Sequence, residues 1–170
     1  MERISAAYLQ LLVFLKTLSG IVILAVFAVI CFDVFWRLAG LQPWLFSNII
    51  VEYGLLWFAM LAAPWLTRIK GHVFIDAITQ LMPGAVRRVV AKLVYLICVV
   101  TSGTFSYYSL QLLIPAYLDG EIDTRAVDVP LWYLLLPLPF CFALVTIEFV
   151  RFLLGFDSMY GERTDVRDNV

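Results

Sequence analysis

The chain has 170 residues, of which 63% are hydrophobic and 15% are charged, and its formal net charge is −1 at pH 7. Soluble domains have about 45–50% apolar and about 25% charged residues, so this composition excludes an ordinary water-soluble domain and predicts a bilayer as the solvent. The sequence also lacks the basic stripe with interleaved aromatic residues that nucleic-acid binding requires, and we expect no nucleic-acid partner.

The first long apolar stretch predicts a membrane helix over residues 6–38. It is far longer than the 7–15-residue core of a cleaved signal peptide, so we interpret it as a retained span. About 20 apolar residues cross the hydrocarbon core as a helix, and this helix must therefore tilt or project beyond the membrane. Asp33 and Arg37 lie four residues apart near its outer end, a spacing that places both on one helix face.

The second predicted span covers residues 49–69 and carries Glu52 near its start. Glu52 would lie at the same membrane level as Asp33 and Arg37. We therefore expect a cluster of these three residues that has a structural role or docks a partner. Two alternatives are interfacial charges that mark helix ends, and an ion or proton path.

The segment from residue 71 to residue 83 has helical periodicity but is too short to span a bilayer. Its apolar residues are Val73, Phe74, Ala77, Ile78, Leu81 and Met82, and its polar residues are His72, Asp76, Thr79 and Gln80. This pattern predicts a short amphipathic helix on the membrane surface between the second and third spans. The alternative is a cap packed on the ends of the bundle.

Two further spans are predicted, over residues 89–118 and 130–154. The third carries a face of small residues, which are Ser102, Gly103, Thr104 and Ser106. Small residues let helices approach closely, so this face should pack against another helix, in this chain or in a partner. The fold class is thus an all-α membrane protein with four transmembrane helices in one domain, residues 1–170.

Two local features are expected in the fourth span. Pro137 and Pro139 should bend it, because proline removes a backbone donor from the helix. Glu148 and Arg151 lie three residues apart near its inner end, where a local ion pair is the simplest interpretation.

The positions of lysine and arginine predict the orientation. Cytoplasmic loops carry an excess of these residues, and all but Arg37 and Arg125 of the 12 lie on one side. The ten on that side are Arg3, Lys16, Arg68, Lys70, Arg87, Arg88, Lys92, Arg151, Arg163 and Arg167. Both ends of the chain should therefore face the cytoplasm.

The sequence offers little for catalysis or metal binding. His72 is the single histidine, and the three cysteines lie apart in apolar stretches. Zinc binding and dithiol chemistry need clustered ligands, so we expect no metal, no cofactor, no catalytic residue and no enzymatic activity.

A specific likeness lies in the second span and the loop after it. The stretch contains Glu52, Trp57, Gly71-His72, Asp76, Leu81 and Pro83 in that order. It resembles the small membrane subunit of tripartite ATP-independent periplasmic (TRAP) transporters, the DctQ-like family, and Arg37 matches an arginine that such proteins often place at the end of helix one. The length and the four-helix topology agree over nearly the whole chain.

The resemblance implies a scaffold role in the bacterial cytoplasmic (inner) membrane. In such systems a periplasmic binding protein delivers an organic acid to a large membrane subunit of about twelve helices. A sodium gradient drives transport by that large subunit. The small subunit packs against the large one and helps to receive the binding protein. The partner interface would include Asp33, Arg37, Glu52, Gly71, His72, Asp76, Ser102, Gly103 and Ser106. The alternatives are a self-sufficient small four-helix transporter and a membrane assembly protein unrelated to transport.

Overall fold

Long helices dominate the part of the chain that the computed structural model describes, which is residues 2–42, 45–69, 84–123 and 128–154. In chain order the elements are α1 (Glu2–Leu38), α2 (Leu45–Arg68), α3 (Gly84–Leu118), β1 (Ile122–Asp123), β2 (Val129–Pro130), α4 (Trp132–Leu135) and α5 (Pro137–Leu153). The two strands pair antiparallel, with Ile122 opposite Pro130.

Four helical stretches in the described residues are long and apolar enough to cross a membrane. They are Ala6–Leu38, Phe46–Arg68, Val89–Leu118 and Trp132–Leu153. The all-helical, four-span fold class is confirmed, although α2 and α3 begin a few residues before the predicted spans. The predicted surface helix at residues 71–83 lies outside the described residues, and the orientation stays a prediction.

Glycines with a positive φ end α1 and α3. Gly40 has φ of 75°, and its N–H donates to the Arg37 carbonyl at 3.0 Å. Gly120 has φ of 65° just beyond α3. Side chains with a Cβ rarely adopt this conformation, whereas glycine adopts it readily. Each glycine therefore turns the chain away from the helix at the residues where the apolar stretch ends.

The long helices pack in the order α1, α2, α5, α3, which differs from their order in the chain. α3 packs extensively on α5, α1 packs extensively on α2, and α2 joins the two pairs through α5. A small core between α3 and α5 contains Tyr95, Val145, Phe149 and Phe152. The outermost helices, α1 and α3, therefore each have one long neighbour and leave much apolar surface uncovered, as at Phe35, which is 73% exposed.

α1 and α2 approach each other closely at a glycine. A Cβ built at Gly54 would overlap the Val26 side chain, which is itself buried at 3% exposure. Helix pairs in membranes depend on such small residues because lipid supplies no hydrophobic drive to associate. Gly54 therefore sets the distance between these two helices.

The fourth span is divided at Leu136. Pro137 opens α5 and has no N–H to donate to the carbonyl of Tyr133 one turn earlier. The indole Nε1–H of Trp57 on α2 donates to that carbonyl at 3.1 Å. A freed backbone carbonyl needs a new partner in a membrane, and here the neighbouring helix supplies it, so the interruption also joins α2 to α4.

Candidate functional site

The C-terminal end of α1, called the outer end because the predicted orientation turns it towards the periplasm, carries a charged pair. Arg37 Nη2 lies 2.7 Å from Asp33 Oδ2, as their spacing predicts. The two side chains differ in burial, since that of Arg37 is 49% exposed and that of Asp33 is 12% exposed. The second carboxylate oxygen, Asp33 Oδ1, is buried and has no hydrogen-bond partner among the described residues.

Asp33 lines a groove of about 350 Å³ between the outer halves of α1 and α2. The groove is otherwise mostly apolar, with Ala28, Phe32 and Trp36 from α1 and Ser47 and Ile50 from α2. Ala28 and Ile50 are exposed, whereas Ser47 is buried at 4% exposure. The groove therefore opens on the surface of the helix pair, and Asp33 forms part of its lining.

Glu52 lies on the exposed side of α2, less than two turns beyond Ser47. It shares the outer half of the helix pair with Asp33 and Arg37, and it takes part in an interaction of its own. The structure defines a direct ion pair in this region between Asp33 and Arg37. The predicted contact of Glu52 with Asp33 and Arg37 stays a prediction.

A second charged cluster lies at the opposite end of the helices, called the inner end after the predicted orientation. Glu148 on α5 is 1% exposed. It accepts a hydrogen bond from Arg68 Nη1 of α2 on Oε1 at 3.1 Å, and Arg151 Nη1 lies 3.0 Å from its Oε2. The predicted local pair with Arg151 is confirmed, and Arg68 is a partner that local spacing could not reveal.

α1 joins this inner cluster through aromatic contacts. The guanidinium of Arg68 lies 5.8 Å from the centroid of the Tyr8 ring, and Lys16 Nζ lies 4.6 Å from the centroid of the Trp65 ring. Cations within about 6 Å of an aromatic face are attracted by its quadrupole. Three helices therefore meet around Arg68 and Glu148, which gives the inner end a fixed geometry.

The small-residue face of α3 packs against α5 of the same chain. Thr146 Oγ1 donates to Ser102 Oγ at 2.9 Å, and Ser106 Oγ donates to the Pro139 carbonyl at 3.0 Å. A Cβ at Gly103 would lie 3.8 Å from the Thr146 methyl group. Ser102, Gly103 and Ser106 were expected at a close helix contact in this chain or in a partner, and the structure places them in the contact within the chain.

The remaining predicted site residues, Gly71, His72 and Asp76, lie outside the described residues. Within the described ranges, no three His, Cys, Asp or Glu side chains come together in a way that could hold a metal ion. The polar groups described above lie in two clusters, one at each end of the helices, and in a hydroxyl contact between α3 and α5.

Four apolar helices of spanning length, with their charges concentrated towards the helix ends, define a small multi-pass membrane protein. The family model for tripartite ATP-independent periplasmic transporters, DctQ component, matches residues 11–156. The chain belongs to this family, which comprises subunits of inner-membrane transporters rather than enzymes. Comparison with curated proteins and with solved structures gives no match.

Proposed function

We propose that this chain is the scaffold subunit that holds a large TRAP membrane subunit of about twelve helices and helps to dock its periplasmic binding protein. The observation that carries the proposal is the DctQ family match, which extends over all four long helices. The family implies association with both partners. The uncovered apolar surface of α1 and α3 supplies area on which another membrane protein can pack.

The interior of the helix packing supports a scaffold rather than a separate transport route. Transporters place polar groups at the bilayer midplane to bind substrate and ions. On α3, the Ser102 hydroxyl donates to the Cys98 carbonyl and Thr104 donates to the Val100 carbonyl. The Thr146 hydroxyl on α5 also lies 2.8 Å from the Phe142 carbonyl of its own helix. These hydroxyls hydrogen-bond within their own helix or to the neighbouring helix, so they contribute to helix packing.

The orientation completes the proposal. With the lysine- and arginine-rich side in the cytoplasm, the outer ends of α1 and α2 face the periplasm. Arg37 and Glu52 are both exposed there and would meet the arriving binding protein. The transported solute is proposed to be an organic acid and the coupling ion sodium, in keeping with the resemblance to the DctQ-like family.

Affinity purification tests this proposal. The tagged chain is expressed in its native host and purified in mild detergent, and we expect a large TRAP membrane subunit to elute with it in a fixed ratio. An unrelated tagged four-helix membrane protein serves as the control for detergent-driven association. Elution of the chain without any large membrane subunit, under conditions where both are inserted, would overturn the proposal.

A further inference from the structure

The side of α3 that lies away from α5 carries three polar side chains inside an apolar span. α3 contacts α5 through the hydroxyls of Ser102 and Ser106. Thr104, Tyr107 and Gln111 follow one another at spacings of three and four residues, which place them together on one helix face, largely opposite that contact. All three are exposed. We call this surface the polar face of α3.

The polar face lies at the depth of the hydrocarbon core. The uncharged part of α3 runs from Leu93 to Leu118, which is about 39 Å long, whereas the core is about 30 Å thick. Centring this stretch on the core places Gln111 about 6 Å and Tyr107 about 12 Å inside the outer edge. The Gln111 amide also reaches one turn deeper, since its Nε2 donates to Tyr107 Oη at 2.8 Å. It therefore does not extend towards the headgroups.

The bond to Tyr107 uses only part of the Gln111 amide. A glutamine side chain has two N–H donors and a carbonyl acceptor, so the contacts among the described residues leave one N–H and the carbonyl oxygen available. An acyl chain offers neither a donor nor an acceptor. Polar side chains within a membrane almost always face protein or water rather than lipid. Gln111 therefore indicates that a protein covers this face.

The exposed surface of the other outermost helix has a different character. Between Ile21 and Ile30 the exposed residues of α1 are all apolar, among them Leu24 at 69% and Phe27 at 65% exposure. Acyl chains can cover such a surface without leaving a polar group unsatisfied. The contrast assigns this part of α1 to lipid and the polar face of α3 to a protein partner.

We propose that the polar face of α3 binds a transmembrane helix of the large subunit, through a hydroxyl or amide side chain that hydrogen-bonds to Gln111. The inference rests on the proposed function, because the DctQ family implies a large membrane subunit as the partner. A neutral side chain fits, since α3 has no charge between Leu93 and Leu118 that could balance an ion. Neutral side chains commonly form hydrogen bonds between membrane helices.

Photocrosslinking in the native host tests the location and the occupant. Benzoylphenylalanine replaces Thr104 on the polar face in one tagged variant and Leu24 on α1 in a matched control. After irradiation of intact membranes, we expect the Thr104 probe to give a covalent product that peptide mass spectrometry identifies as a large TRAP subunit, and the Leu24 probe to give none. A product with the mass of two copies of this chain, or no protein product from the Thr104 probe, overturns the proposal.

A pair of identical substitutions tests the hydrogen bond. Gln111→Met keeps the length of the side chain and removes the amide, and Gln10→Met makes the same change at an exposed position on α1. Each variant is purified in mild detergent, and the recovered large subunit is normalised to the inserted chain. We expect Gln111→Met to recover about threefold to tenfold less large subunit than the wild type, and Gln10→Met to match it. Equal recovery from the two variants overturns the role of the Gln111 amide.

The wild-type result separates this proposal from the one on which it rests. If the wild-type chain recovers no large subunit, the proposed function is wrong, and the assignment of the polar face is wrong with it. If the wild type recovers the large subunit but the Thr104 probe does not crosslink to it, the proposed function stands and only the assignment of the polar face is wrong.

Discussion

Arg68 and Glu148 lie 80 residues apart in the chain, yet their side chains form a 3.1 Å ion pair that joins α2 to α5. α2 and α5 are the two central helices in the packing order α1, α2, α5, α3. This ion pair therefore joins the α1–α2 pair to the α3–α5 pair. Its carboxylate is almost fully buried and is shared with Arg151. The inner end is therefore fixed by charge, whereas the outer end combines a charged pair with an open groove.

The first prediction concerns this shared carboxylate. Glu148→Leu leaves Arg68 and Arg151 facing each other without their acceptor. Because both arginines are partly exposed, we expect the unfolding free energy to fall by about 2–3 kcal/mol, below the loss for a fully buried pair. Thermal unfolding of the purified protein in detergent measures the change. Glu121→Leu removes an exposed carboxylate and should leave the Tm near that of the wild type. Equal Tm values for the two variants would show that the inner cluster does not stabilise the fold.

The second prediction concerns the close contact of α1 and α2. Gly54→Leu should push the helices apart and cost about 1–3 kcal/mol, because the added atoms overlap Val26. Combining it with Val26→Ala should recover part of the loss, since that change frees space on the facing helix. Gly20→Leu is the control, because a Cβ at Gly20 meets nothing within 4 Å. Thermal unfolding in detergent compares the wild type with the two single leucine variants and the double variant. Equal destabilisation by Gly54→Leu and Gly20→Leu would refute a specific contact at Gly54.

The third prediction concerns the hydrogen bond between Ser102 and Thr146. Such bonds between membrane helices are worth about 0.6 kcal/mol on average, so Ser102→Ala and Thr146→Val should each have a small effect. A double-mutant cycle should give a coupling energy of about 0.5–1.5 kcal/mol. Thr104→Val replaces an exposed hydroxyl that bonds its own helix and should show no coupling to Thr146. Strictly additive effects of the first pair would mean that the 2.9 Å contact contributes nothing.

The fourth prediction concerns the outer charges. Arg37→Glu and Glu52→Arg should each weaken uptake, by about threefold or more at limiting binding protein, because charges at the rim of an interface mainly affect association. Membrane insertion should be unchanged, as measured by the amount of protein in the membrane fraction. Uptake is compared across the two single reversals and the double reversal. Normal uptake in both single variants would show that Arg37 and Glu52 do not contribute to docking and only lie at the helix ends. Recovery only in the double reversal would make them each other's partners.

Much of the fold follows from hydropathy, because the bilayer requires long apolar helices with internally satisfied backbones. The pairs Asp33–Arg37 and Glu148–Arg151 could also be predicted from the sequence, since spacings of four and three residues place side chains on one helix face. Such predictions depend only on local helix geometry. They need no knowledge of which helix lies beside which.

The neighbours of each helix could not be predicted in the same way. α1 and α2 are apolar around their circumference, so no stripe indicates the face that meets a partner. The contact of Gly54 with Val26 and the ion pair of Arg68 with Glu148 depend on that three-dimensional order. The acceptor role of the Tyr133 carbonyl was likewise hidden, although Pro137 was a signal that a carbonyl one turn earlier would need another donor.

Reconstitution into liposomes tests the central claim most directly. Sodium-driven uptake of an organic acid is measured with the large subunit and binding protein present, with and without this chain, and with this chain alone. The account predicts uptake with all three components, a strong loss when this chain is omitted, and none from this chain by itself. Sodium-dependent uptake by the purified chain alone would contradict it.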